Sequence, residues 1–452
     1  MKTRTGPTLV LAMAAAAMAA YPTLAAENFM DVGKQAPITI LINASPWYNG
    51  FESVVNLYEQ QTGNKVNLDV TPFPGMLEKG RSAVRDPNKS PYDLININST
   101  WTIEFYKGGF LTPMQEVDPK FEVPKEVYSL GDAGCWDAAK QFRTCKTGKL
   151  MGYAPNGNVE LFYYRKDVFD EKGLKPPVTF DDVLANCKVL QNPPQTYGYL
   201  QRGEKGDSIY YDWMAYMLSY GAQDVKDAEN GDFTVTINSP QAKAALDKYI
   251  EIGHKCGPAN AGTLGQGDLI QLIQTGKGMQ AQGVVAAFPN FDNPQKSAVV
   301  GKIYAAVLPR ATADGHPGAA IGSWVFGIPK NASEEGKKGA IAFSNWFLTY
   351  KAQYAYAEGG GIPVRSDVFD SDLKKQEKFR WMQAYQDEIP YGKQVFGYAE
   401  SAEVTNALGL RLNQALIGEL TSAQALNKAA DDFYQTFQKS GRKTGKLDPL
   451  PE

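Results

Sequence analysis

The run Ile38-Thr39-Ile40-Leu41-Ile42 constrains this chain more than any other stretch of it. It is almost continuously apolar and shows neither the helical spacing nor the strict alternation of a one-sided strand. A segment of this kind suits a strand buried on both faces, which requires helices on each side of its sheet. The following residues supply one. A polar loop over residues 43–50 gives way to 51–61, where apolar residues return at helical spacing and Gly63 is placed to stop the helix. Residues 66–70 and 92–97 read as further strands. Thr179-Phe180-Asp181-Asp182 is a capping box opening a helix through Leu190, and Ser239-Pro240 opens another to about Ile252. Between 402 and 437, Leu408, Leu412, Leu416, Leu420, Leu426 and Phe433 recur at mainly helical spacing, as in packed helices. Strands alternating with helices define an α/β fold, and 452 residues leave room for two or more domains. No internal repeat or low-complexity linker separates them.

Ahead of the first strand, Lys2 and Arg4 precede an apolar run over residues 9–20, then Pro22 and the small-residue stretch Thr23-Leu24-Ala25-Ala26. This is the layout of a secretory signal peptide, cleaved after Ala25, and its apolar run is shorter than the ~20 residues that span a bilayer. Residues 1–25 are therefore expected to be removed, leaving a soluble product in the periplasm. The full chain carries 46 basic and 49 acidic residues, and losing Lys2 and Arg4 leaves 44 basic ones. That balance excludes a broad basic surface for nucleic acid. Two histidines, His254 and His316, leave little room for histidine-rich metal sites or histidine acid–base chemistry, and neither metal nor cofactor is expected.

Export places the four cysteines, Cys135, Cys145, Cys187 and Cys256, in an oxidising compartment, where they are expected to form disulfides. Three connectivities are possible. Cys135 with Cys145 closes a short polar loop, and Cys187 with Cys256 follows by elimination. A four-thiolate zinc site competes poorly, because the spacing contains no C-x-x-C.

Three segments carry a family resemblance. Gly148-Lys-Leu-Met-Gly-Tyr-Ala-Pro-Asn-Gly-Asn-Val-Glu-Leu-Phe-Tyr-Tyr-Arg-Lys-Asp-Val-Phe169 continues to Gly173-Leu-Lys-Pro-Pro177. Gly276-Lys-Gly-Met-Gln-Ala-Gln-Gly283 is followed by Asn293-Pro-Gln-Lys-Ser297 and Ala305-Ala-Val-Leu-Pro309. Gly322-Ser-Trp-Val-Phe-Gly-Ile-Pro-Lys330 precedes Gly359-Gly-Gly-Ile-Pro-Val-Arg365. In order and spacing these resemble the extracellular solute-binding proteins of ABC importers, in the sugar-binding branch that includes maltose-binding protein. Arg165 stands where that family has Asn or Asp. The tryptophan often found near Val285 is missing, which argues against a maltodextrin platform.

The resemblance implies a two-lobed periplasmic-binding-protein fold with three interlobe crossings and a ligand cleft between the lobes. The first lobe would comprise 26–153 plus 290–348, and the second 154–289 plus 349–452. Function would be capture of a carbohydrate or polyol by hinge closure and delivery to membrane permease subunits, without catalysis, by a monomer.

Sugars stack on aromatic rings and hydrogen-bond to a few polar groups. Trp47 and Tyr48 follow the first strand, at the carboxyl end where open α/β sheets bind ligands. Asn98, Thr100 and Trp101 follow the third, with capping of the next helix as the competing role for the hydroxyl. Phe73 is a further loop ring that could edge a pocket. The resemblance adds Asn156 on a crossing, Arg202, Asp207, Tyr211 and Trp213 in the second lobe, Trp324 after Gly322-Ser323, and Arg365. Trp213 also starts an apolar helical run, and Arg365 could simply be salt-bridged. A ferric-iron receptor would use adjacent tyrosines such as Tyr163-Tyr164 and Tyr210-Tyr211, but strand alternation sends the first pair to opposite faces. A polyamine receptor would need acidic pocket residues such as Asp207 and Asp212. A secreted carbohydrate-active enzyme would need a paired carboxylate site, which no spacing here distinguishes.

Overall fold

The computed structural model describes residues 29–452, except Val395 and the side chain of Asp207. The expected signal peptide lies outside the described residues. In chain order the strands that position the site are β1 (Ile38–Asn43), β2 (Val66–Thr71), β3 (Leu94–Asn98), β4 (Leu111–Thr112) and β5 (Gly152–Tyr153). They continue as β6 (Glu160–Arg165), β7 (Gln280–Val284), β8 (Ile303–Ala306), β9 (Ala319–Ile321), β10 (Trp324–Pro329) and β11 (Gly392–Gln394).

The first lobe is built on a sheet in the order β2-β1-β3-β10-β4, with β5 also pairing β10. The pairs β1–β2 and β1–β3 are parallel and β10 runs antiparallel to β3, so Trp324 lies opposite Asn98. Ile40, Leu41 and Ile42 of β1 are fully buried, as the apolar run requires. Helix α1 (Tyr48–Thr62) ends at Gly63, whose φ of 67° is the left-handed cap that glycine adopts without strain. Its Phe51 ring meets Phe326 of β10 at 5.3 Å, fastening helix to sheet. Helix α2 (Phe73–Ala83) opens with Phe73-Pro74, the proline sitting in the first turn where its missing N–H costs nothing.

The second lobe holds the antiparallel sheet β7-β6-β8. Helix α3 (Phe180–Leu190) begins at the capping box, with Thr179 accepting from the Asp182 N–H and Asp182 accepting from the Thr179 N–H at 2.9 Å. Phe180 stacks on Tyr216 of helix α4 (Asp207–Ser219) with centroids 3.9 Å apart. Helix α5 (Pro240–Cys256) starts at the Ser239 cap and runs a turn past the expected end. Disulfide Cys187–Cys256 ties α3 to α5, and Cys135–Cys145 closes the short polar loop. No helix among the described residues is long and apolar enough to cross a membrane.

Three crossings join the lobes. Residues 154–159 carry the chain from β5 to β6, and 322–323 carry it back from β9 to β10; Val159 bridges Ile321, so the two run side by side. The third lies near 361–366, after helix α6 (Glu334–Phe347) and helix α7 (Tyr350–Glu358). Strand pairing and helix packing depart from the expected later boundaries. β8 pairs with β6, so residues 290–321 belong to the second lobe rather than the first. α7 packs on α1, with Tyr356 against Phe347 of α6 at 5.5 Å, so 349–360 belong to the first. That contact is close because of Gly50: a Cβ there would lie 2.2 Å from the Gly361 nitrogen. Helices α8 (Ser401–Leu416) and α9 (Ser422–Lys439) complete the second lobe as a packed pair.

Candidate functional site

A cavity of about 340 Å³ opens between the lobes. On the first-lobe side it is reached from the carboxyl ends of β1 and β3, through Asn43 to Trp47 and through Asn98. On the other side stand Arg202, Tyr211 and Gln266, while Asn158, Glu160 and Gly322 come from the two adjacent crossings and their exits. The two lobes approach directly where the Ser99 hydroxyl lies 3.5 Å from that of Tyr211. A Cβ on Gly322 would sit 3.3 Å from Asn158 Nδ2, so glycine lets the crossings run this close.

One wall is aromatic. Trp324 is 6% exposed and meets Trp101 edge-on at 5.8 Å and Phe73 edge-on at 6.0 Å. Phe73 and Trp101 in turn pack at 5.1 Å. Such pairs hold a ring's face in one orientation. Phe73, at the start of α2, is 45% exposed, so part of its ring is open to the cavity.

The floor is charged. Arg202 is buried between two carboxylates. Its backbone N–H and Nε each donate to Asp212 at 2.6 Å, and a terminal nitrogen donates to Glu160. Its other terminal nitrogen reaches Gln266 Oε1 at 3.4 Å. Glu160 also accepts from Gln282 Nε2 at 2.7 Å. Burial first, and then the neighbouring Asp212 charge, push the Glu160 carboxyl well above the usual range, against the pull of Arg202. The same two carboxylates hold Arg202 protonated by raising its pKa against burial.

Of the residues singled out from sequence, Trp47, Phe73, Asn98, Arg202, Tyr211 and Trp324 line this cavity. Trp47 is nevertheless a core ring, 1% exposed and edge-on to Phe51. Asn98 spends its amide oxygen on the Thr100 N–H and hydroxyl, so it offers the cavity its amide nitrogen. Asp207 begins α4, and its side chain lies outside the described residues.

Six others do not line the cavity. Tyr48 is already in α1, its hydroxyl donating to Glu52 at 2.8 Å. The Thr100 hydroxyl is turned to Asn98 at 2.8 Å. Trp101 stands one ring back, supporting Trp324. Asn156 is fully buried, its amide oxygen accepting from the Tyr356 hydroxyl and the Ile362 N–H, so it fastens the first crossing to the third. Trp213 is fully buried on α4, in the core. Arg365 is buried and salt-bridged to Asp367 at 2.6 Å, with a second donor to the Leu348 carbonyl. Tyr163 and Tyr164 do not converge either: Tyr163 donates to the Val284 carbonyl, while Tyr164 packs on Phe169.

Glu160 and Gln266 are site residues the sequence reading passed over. Glu160 did leave a signal, as a lone carboxylate inside the apolar strand Val159-Glu160-Leu161-Phe162. Gln266, the first residue of the helix Gln266–Gln274, left none.

Two α/β lobes, three crossings and a partly aromatic cavity between the lobes define a two-lobed binding protein. Its particular family follows from comparison. The chain belongs to the bacterial extracellular solute-binding proteins, whose family pattern it matches over residues 44–354. It is 22% identical over 350 residues to the erythritol/L-threitol-binding protein of Mycolicibacterium smegmatis, covering 75% of this chain and 72% of that one. It is 23% identical over 372 residues to the mannitol-binding protein of Pseudomonas aeruginosa, covering 77% and 81%. Its fold superposes on an ABC transporter solute-binding protein from Agrobacterium radiobacter K84 in complex with ribitol, with a TM-score of 0.74 at 21% identity, over 90% of this chain and 100% of that one.

Proposed function

We propose that this protein is the periplasmic receptor of an ABC importer for a small carbohydrate or polyol, which it captures between its lobes and hands to the membrane permease as a monomer. The observation that carries the reading is the cavity itself. An aromatic wall of Trp324 and Phe73, backed by Trp101, faces a polar floor, the pairing that suits a ligand with C–H faces and many hydroxyls. At about 340 Å³ the space suits one monosaccharide or a short acyclic polyol rather than a long oligosaccharide. The polyol specificities of the two relatives and the ribitol of the superposed structure support the same class. The mechanism is binding: contacts made by both lobes stabilise the closed arrangement, with motion taken up at the three crossings.

A thermal-shift screen of acyclic polyols, monosaccharides, oligosaccharides and amino acids tests this, because a ligand bound only to the native state raises the melting temperature. The expected result is a shift of several degrees with one or more four- to six-carbon polyols or monosaccharides. A response confined to amino acids or to long oligosaccharides refutes the reading.

A further inference from the structure

The cavity offers no unmatched positive charge. Among its described lining residues the carboxylic and basic side chains are Glu160, Glu204 and Arg202; no lysine or histidine is present. Arg202 is matched twice over, by Glu160 on the cavity side and by the fully buried Asp212 behind it. If Glu160 is ionised the triad is negative, and if it holds a proton the triad is neutral. Neither state leaves a cation to meet an anionic ligand.

The remaining polar groups fit hydroxyls. Each carboxylate oxygen has two acceptor positions. One Glu160 oxygen faces Arg202 and the other Gln282, with Asp212 also in hydrogen-bond contact, so part of the acceptor capacity remains. Glu204, exposed at the rim, adds another carboxylate, and its Oε2 accepts from the Ser208 hydroxyl at 3.1 Å. The side-chain amides are partly committed: Asn43 donates to the Thr71 carbonyl at 3.1 Å, and Asn158 donates to the Gly322 carbonyl at 3.2 Å. The oxygens of Asn43, Asn98 and Asn158 are already accepting, so these amides keep N–H protons while the carboxylates are the charged acceptors of the site. Hydroxyls answer both kinds of group; a carboxylate or phosphate brings only acceptors and a negative charge of its own.

Resting on the receptor reading above, we propose that Glu160 is a specificity-determining residue that sets the charge class of the ligand. It accepts hydroxyl protons from a neutral polyhydroxylated molecule and turns away its carboxylated or phosphorylated counterpart. Arg202 acts here as a positioning residue, holding the Glu160 carboxylate toward the cavity.

Isothermal titration with matched pairs tests this: D-glucitol against D-gluconate, D-mannitol against D-mannonate, and D-glucose against D-glucuronate. For whichever neutral member binds, the acid is expected to bind at least about thirtyfold more weakly, since opposing like charges at close range is costly. An acid binding within threefold of its neutral partner overturns the inference and leaves the receptor reading standing. A panel in which no neutral polyol, monosaccharide or oligosaccharide binds refutes that reading and takes the inference with it. Glu160→Gln keeps the shape and leaves Arg202 paired one-to-one with Asp212. It is expected to narrow the neutral-to-acid affinity ratio about tenfold, whereas a merely structural role would weaken both members and leave the ratio unchanged. An unchanged ratio in folded protein overturns the assignment to Glu160. The wild-type ratio needs no variant, so the charge-class claim stays testable should the substituted chain fail to fold.

Discussion

Replacing Trp324 with alanine tests the aromatic wall directly. The ring is 94% buried and held by two edge-on partners, so its loss has a structural cost and a binding cost that must be read separately. On the structural side, an indole buries on the order of 200 Å², which at about 25 cal/mol per Å² forfeits about 5 kcal/mol as an upper bound. Aromatic-to-alanine changes in cores cost about 3–5 kcal/mol, and relaxation at the cavity surface favours the lower end. On the binding side, taking a stacked pair of aromatic rings as the scale, the contact with a sugar face is worth about 0.5–1.5 kcal/mol. Phe73 and Trp101 also lose the ring they lean on, so the expected weakening is about tenfold, or ~1.4 kcal/mol. Trp324→Phe keeps a ring and should lose less than half of that. Titration calorimetry with the ligand from the thermal screen gives the affinity, and melting of the ligand-free protein gives the fold. Intrinsic fluorescence adds a third readout: of the seven tryptophans, Trp47, Trp213, Trp346 and Trp381 are almost fully buried and Trp136 packs on Tyr106 away from the cavity, which leaves Trp101 and Trp324 best placed to respond to ligand. A folded Trp324→Ala protein with wild-type affinity would refute the wall as a ligand contact, however large the drop in melting temperature.

Other consequences follow from the buried charges and bridges. Arg202→Met strands Glu160 and Asp212 without their cation, so a loss of about 3–5 kcal/mol is expected. Glu160 already has a folded pKa above its unfolded one, so its contribution is present at low pH and lost as pH rises; without Arg202 that loss grows. The variant's melting deficit should thus be larger at pH 8 than at pH 5, and an equal deficit would count against the triad. Glu388 is a second buried carboxyl, pushed up from 4.5 to about 8 by burial although its Oε2 accepts from the Leu308 N–H at 2.6 Å. The native state therefore keeps a proton that the unfolded chain releases, and stability should fall between about pH 4.5 and 8. Glu388→Gln should flatten that slope and stabilise the protein at pH 8 by up to about 4 kcal/mol; chemical denaturation across pH measures it, and an unaltered slope contradicts it. Replacing both Cys187 and Cys256 with alanine opens a loop of 69 residues and should cost up to about 4 kcal/mol, read as a lowered denaturation midpoint.

What could be read from the sequence, and what could not, divides along the range of the interactions involved. The β1 run, the Gly63 stop and the Thr179 capping box are decided by residues within a few positions of one another, and each appears where its local chemistry puts it. The later lobe boundaries are not local. β8 joins the second lobe because it pairs with β6, some 140 residues earlier, and nothing within 303–306 announces that partner. The same division separates Tyr211 from Trp213. On a helix, two residues are separated by roughly 200° of rotation, so the face of α4 that turns Tyr211 to the cavity must turn Trp213 to the core. The apolar run read from sequence starts only at Trp213, so it does not place Tyr211 on the helix, and the helix's rotation is fixed by Phe180 stacking on Tyr216 and by Asp212 meeting Arg202. Asp212 lies between the two rings in the chain, and its buried pairing with Arg202 ties that rotation to the charged floor of the cavity. The charged floor and the aromatic contacts are thus coupled through one helix, so perturbing Arg202 should also displace the Tyr211 hydroxyl from Ser99.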